Sequence, residues 1–136
     1  MAGEKILIVE DNPANMELET DLLEVAGYTV CQTVNAEAGI EAAKMEAPAL
    51  ILMDVGLPNM DGLTAAGVLL QDAMTKDIPI VVVTAHAMRR DQEKALAAGC
   101  AGYITKPIDT RTFAQTVAAF IESAAAIRSA RGQAEQ

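Results

Sequence analysis

A chain of 136 residues with 19 acidic and 10 basic side chains, a formal charge of −9, lacks the concentrated positive face that nucleic-acid binding needs. Hydrophobic residues make up 51% of it, yet with two Phe, two Tyr and no Trp the core must be built from Ala, Val, Ile, Leu and Met. The length suits one domain without a metal or disulfide staple, and no apolar run approaches the ~20 residues of a membrane span or precedes the first strand as a signal peptide. A cytoplasmic protein without membrane insertion is expected.

Strand-like and helix-like segments alternate along the chain, the pattern of a doubly wound parallel α/β sheet. The first strand, about residues 5–10, runs Ile6-Leu7-Ile8-Val9 into Glu10-Asp11. A helix opens at Asn12-Pro13, an N-cap residue followed by proline at the first helical position; it carries Met16, Leu18, Leu22 and Val25 and stops near Gly27. The second strand, Tyr28 to Val34, alternates and suits a sheet edge, and its helix runs from Asn35 to before Pro48. The third strand, Leu50-Ile51-Leu52-Met53, ends on Asp54 and a proline-glycine loop. Asp61 then caps a helix that fades near Ala73. The fourth strand follows Pro79 and ends at Thr84, and a helix over about residues 88–98 is closed by Gly99. The short fifth strand, 102–104, leads into Thr105-Lys106, and the last helix opens at Asp109 with Phe113, Val117, Phe120 and Ile121 as its apolar stripe. The tail from Arg128 is expected to fray. Cys31 and Cys100 lie in no metal or redox spacing and read as core-filling thiols.

The chemistry gathers where the strands end. In open α/β sheets, ligands bind at the carboxyl ends of the strands, and here those ends carry Glu10, Asp11, Asp54, Thr84 and Lys106. Any one acid there would be an ordinary strand-end residue. Three together repel one another unless a cation lies among them, and oxygen ligands without His or Cys suit Mg²⁺. A free carboxylate beside Mg²⁺, a lysine and a threonine can attack phosphorus and form an acyl phosphate. No strong general base is present to make its hydrolysis fast.

Glu10-Asp11, Asp54 within Leu52-Met53-Asp54-Val55-Gly56-Leu57-Pro58, Thr84-Ala85 and Lys106-Pro107 together resemble the receiver domain of two-component response regulators. The resemblance covers about residues 4–125, with 126–136 left as a helix end or tail. It implies a flavodoxin-like (βα)5 fold with strand order 2-1-3-4-5. It also implies that Asp54 is the phosphoacceptor, that Glu10, Asp11, Asp54 and the main-chain carbonyl of Gly56 hold Mg²⁺, and that Thr84 and Lys106 sense the phosphoryl group. Tyr103 matches the aromatic switch position, and the Lys106-Pro107 bond is expected to be cis. The implied partners are a histidine kinase or histidine phosphotransferase, docking through the first helix at Ala14, Asn15 and Leu18, and a downstream protein bound by the fourth helix, fifth strand and fifth helix. A receiver without an output domain is the expectation; the wording is similar to stand-alone receivers of the DivK type and to receivers fused to hybrid histidine kinases.

Gly56 is a mild departure, smaller than is usual in the family, and His86 lies near the mouth of the site as a single loop histidine. Two other functions compete. A phosphatase of the haloacid-dehalogenase type would need an acid at Gly56, and a flavodoxin would need a Ser/Thr/Gly-rich phosphate loop where Glu10-Asp11-Asn12-Pro13 stands. The expected protein is thus a phosphoacceptor signalling domain, whose only catalysis is its own phosphorylation and slow dephosphorylation.

Overall fold

The computed structural model describes residues 3–57, 60–85 and 89–135. Five parallel strands form one sheet: β1 (Lys5–Val9), β2 (Thr29–Thr33), β3 (Leu50–Asp54), β4 (Ile80–Thr84) and β5 (Gly102–Thr105), in the order β2-β1-β3-β4-β5. The connecting helices are α1 (Pro13–Val25), α2 (Ala36–Glu46), α3 (Gly62–Gln71), α4 (Arg89–Ala97) and α5 (Phe113–Glu135). The expected flavodoxin-like topology is therefore the one observed. No helix among the described residues is long and apolar enough to cross a membrane.

Side-chain alternation along each strand builds two cores, one on either face. Ile6, Ile8, Leu50, Leu52, Val81 and Val83 face Met16 and Leu23 of α1 and Phe113, Val117 and Ile121 of α5. Leu7, Val9, Ile51, Met53, Ile80 and Val82 face Ala36, Ile40 and Ala43 of α2, Ala65, Ala66 and Leu69 of α3, and Ala95 of α4. Every residue of β3 and β4 is buried, which is why both read as unbroken apolar runs. β2 is an edge strand with no fully buried residue, and Cys31 on it is only half buried, unlike the core thiol expected; Cys100 is buried.

The helix starts follow their caps. Asn12 accepts a hydrogen bond from the Asn15 amide, Asn35 from Ala38 and Asp61 from Thr64. The last helix differs from expectation. Asp109 Oδ1 accepts from the amide two residues on, Arg111, at 2.9 Å; this forms a side-chain turn that delays the helix to Phe113. The helix then continues through Glu135. The Lys106-Pro107 bond is cis.

The face of α1 also differs. Its buried residues are Met16, Glu19, Thr20 and Leu23, whereas Leu18 and Val25 are 37% and 89% exposed. Of the apolar residues expected on this helix, Met16 is buried and Leu22 packs partly against the core, whereas Leu18 and Val25 lie toward solvent and a glutamate occupies the core side.

Gly62 begins α3 hard against the end of β3. A Cβ there would collide with the Asp54 carbonyl oxygen and lie 3.0 Å from Val55 Cα, and the Gly62 amide donates to the Val55 carbonyl at 3.2 Å. Gly67, five residues along the same helix, meets nothing within 4 Å. Gly62→Ala is therefore expected to lower the unfolding free energy in urea by about 1–3 kcal/mol, as overpacking does. Gly67→Ala is expected to raise it by about 0.5–1 kcal/mol through helix propensity.

Candidate functional site

The carboxyl ends of β1, β3, β4 and β5 meet at a shallow cleft of about 420 Å³. Parallel pairing sets this convergence: Val9 is opposite Met53, Asp54 opposite Val83, and Thr84 opposite Thr105, so the residues that end each strand lie on one edge. Main-chain hydrogen bonds carry the ladder into the loops. The amide of Glu10 donates to the Thr33 carbonyl at 3.0 Å, Val55 to Val83 at 3.1 Å and Lys106 to Thr84 at 2.8 Å.

Glu10, Asp11 and Asp54 each place an oxygen within 4.8 Å of the others. Glu10 and Asp54 are buried and Asp11 is exposed at the rim. Lys106 reaches in from the loop after β5, its Nζ 3.0 Å from Glu10 Oε1 and 3.3 Å from Asp54 Oδ2. The other oxygens of these two acids are held by the main chain. Asn12 donates to Glu10 Oε2 at 3.2 Å, and Gly56 to Asp54 Oδ1 at 3.0 Å. Thr84 is buried at the end of β4, lining the same cleft as Lys106. Among the described residues, an added Cβ at Gly56 would touch only Asp54 Oδ1, at 3.8 Å. Tyr103 lies opposite Val82, two positions before the end of β5, half buried against the core on the α2–α4 face. His86 and the Pro58-Asn59 stretch fall outside the described residues.

The electrostatics separate the two buried acids. Burial, then the hydrogen-bonded neighbour Asp54, raises Glu10, against the opposing pull of Lys106 and the Asn12 amide. For Asp54, burial acts in the raising direction, but contact with Glu10, the Gly56 amide and Lys106 together outweigh it and lower its pKa. Burial alone would lower Lys106; Glu10 and Asp54 reverse that and keep it cationic. The same surroundings thus push the two acids in opposite directions, Asp54 toward its ionised form and Glu10 toward its protonated one. A single lysine does not neutralise three acids, and the all-oxygen donor set leaves room for a hard divalent cation.

One participant was not foreseen. Glu19, on the inner face of α1, is 1% exposed and its pKa is pushed up to about 8, first by burial and then by Glu10. An acid in mid-helix reads as a solvated face; only its place between Met16 and Leu23, at helical spacing, hints otherwise.

The chain belongs to the response regulator receiver domain family, whose model matches residues 6–118. It is 40% identical over 119 residues to the polar-differentiation response regulator DivK of Brucella anthropi, covering 88% of this chain and 97% of that protein. Among solved structures it is similar to the receiver domain of the sensor histidine kinase PA1611 from Pseudomonas aeruginosa PAO1, which has a magnesium ion coordinated in its active-site cleft. That match has a TM-score of 0.81 and 31% identity over 89% of this chain and 99% of that one. A CheY-like receiver domain protein from Methanospirillum hungatei JF-1 matches with a TM-score of 0.83 at 26% identity, covering 90% and 97%.

Glu19 is expected to make stability depend on pH. Below about pH 4.5 both folded and unfolded chains hold its proton. As pH climbs to about 8 the unfolded chain releases it first, so stability falls through this window. Urea unfolding in EDTA should therefore give a free energy with a declining component of at most about 1.4 kcal/mol per pH unit, set by Glu19 against Glu10, Asp54 and Lys106. Glu19→Gln should flatten most of it; a variant profile parallel to the parent's would contradict this assignment.

Proposed function

We propose that the protein is a phosphorylation-controlled signalling switch in which Asp54 accepts a phosphoryl group from the phosphohistidine of a histidine kinase or histidine phosphotransferase. The observation that carries this reading is the placement of Asp54. Its carboxylate is buried, kept ionised and oriented by Gly56 and Lys106, at the open end of a strand beside two further acids.

In the transfer, an Asp54 oxygen attacks phosphorus as the bond from phosphorus to the imidazole nitrogen breaks. The histidine leaves with that electron pair and takes up a proton. Lys106 is placed to offset charge on one phosphoryl oxygen, and the Thr84 hydroxyl to donate a hydrogen bond to another. Glu10, Asp11, Asp54 and the main-chain carbonyl of Gly56 would hold Mg²⁺, which when bound supplies charge neutralisation and a template for the phosphoryl oxygens. The donor set fits that ion, and the magnesium in the PA1611 receiver supports the choice.

Docking of the donor through α1 is supported by the exposure of Ala14 and Leu18 beside the cleft that Asn15 lines. After transfer, Lys106 exchanges Glu10 for the phosphoryl group and Thr84 is drawn toward it. Tyr103 turns inward behind Thr84, and the face made by α4, β5 and α5 changes its affinity for a downstream protein. Among the described residues no side chain is placed as a strong base for hydrolysis, and the expected catalysis is self-phosphorylation and slow self-dephosphorylation.

Phosphoramidate, a small-molecule donor, with Mg²⁺ is expected to add one phosphoryl group to the intact protein by mass spectrometry, with the label released by hydroxylamine as acyl phosphates are. Asp54→Ala should abolish the addition. Undiminished labelling of that variant would refute the assignment.

A further inference from the structure

Among the described residues, two buried side-chain oxygens have no hydrogen bond: Glu10 Oε1, which Lys106 approaches only as an ion pair, and Glu19 Oε2. They belong to neighbouring carboxyls. Glu19 projects from the inner face of α1, flanked along the helix by Met16, Thr20 and Leu23, and its carboxyl lies within hydrogen-bonding reach of Glu10. A polar group taken to this depth is costly unless something uses it. Glu19 is not itself one of the clustered ligands, because the oxygens that lie within 4.8 Å of one another come from Glu10, Asp11 and Asp54. Asn12 and Lys106 hold the Glu10 carboxyl from the loops that follow β1 and β5, and Glu19 neighbours it from the inner face of α1.

We propose that Glu19 is a positioning residue for the divalent-ion site: buried on the inner face of α1 beside Glu10 and outside the ring of ligand oxygens, it fixes the direction in which Glu10 presents its carboxylate. Groups that orient a metal ligand typically change metal affinity about 10–100-fold when removed. An apolar residue here would pack as well or better, since replacing buried ionisable groups by hydrophobic ones is often stabilising. Metal affinity and fold stability should thus move in different directions. That separation is what a merely structural role for Glu19 would not produce.

The inference rests on the reading of Glu10, Asp11 and Asp54 as ligands, and one experiment separates the two. Mg²⁺ is titrated calorimetrically into the unphosphorylated parent, Glu19→Gln and Glu19→Leu, with urea unfolding of each measured in EDTA. Glu19→Gln, which keeps the length and a hydrogen-bonding head, is expected to bind within about threefold of the parent. Glu19→Leu is expected to bind at least ~10-fold more weakly while unfolding no more easily. If leucine disturbs the packing, Glu19→Met carries the same comparison. Equal Mg²⁺ affinity in the parent and the apolar variant overturns the role of Glu19 alone. Equal losses in Glu19→Gln and Glu19→Leu overturn it too. A parent protein that binds no Mg²⁺ overturns the ligand reading and this inference with it.

Discussion

Three carboxyl groups and one ammonium share the carboxyl edge of a five-stranded sheet, and the rest of the molecule can be understood from the cost of keeping them there. Parallel pairing brings Glu10, Asp54, Thr84 and Lys106 to the same level without any side chain having to reach far. The apolar strands behind them lower the local dielectric, which strengthens both the repulsion among the acids and the hold of Lys106. Main-chain amides of Asn12 and Gly56 take the remaining oxygens and fix their directions. Such a site is rigid, short of positive charge and open to solvent on one side. Those are the properties that let a small anion or cation change its energy by a large amount.

The tight start of α3 serves the same end. With glycine at position 62, the helix can begin one loop after the acid it supports, and Asp61 caps it without entering the cleft. At Gly56 the reverse holds: among the described residues an added Cβ would meet nothing but Asp54 Oδ1, at ordinary contact distance, so glycine there is not imposed by the packing they make.

Much of this was legible in the chain itself. Strands buried on both faces leave unbroken runs such as Ile80-Val81-Val82-Val83, and a functional residue directly after such a run has only one edge of the sheet to occupy. Caps at Asn12, Asn35 and Asp61 marked three helix starts because each side chain binds the amide three residues on; Asp109, which binds two residues on, misled. The inner face of α1 was legible in part: Met16 is buried and Leu22 packs partly, but Val25 is exposed and the polar Glu19 and Thr20 are buried beside Leu23. A glutamate facing inward contradicts the local pattern, and sites that break such patterns are often functional ones. Its partner, Glu10, is distant in sequence, so the conflict has no explanation until the two carboxyls are seen side by side.

The central claim is that one divalent ion belongs among Glu10, Asp11 and Asp54. Substoichiometric Mn²⁺ added to ¹⁵N-labelled protein would report its place directly, because a paramagnetic ion broadens the amide signals nearest to it. The account predicts that the signals of Glu10 to Asn12, Val55 and Gly56 vanish first, with those of distant acids intact. Broadening centred on the exposed acids of α1, Glu17, Asp21 and Glu24, or spread evenly over the acidic surface, would contradict it.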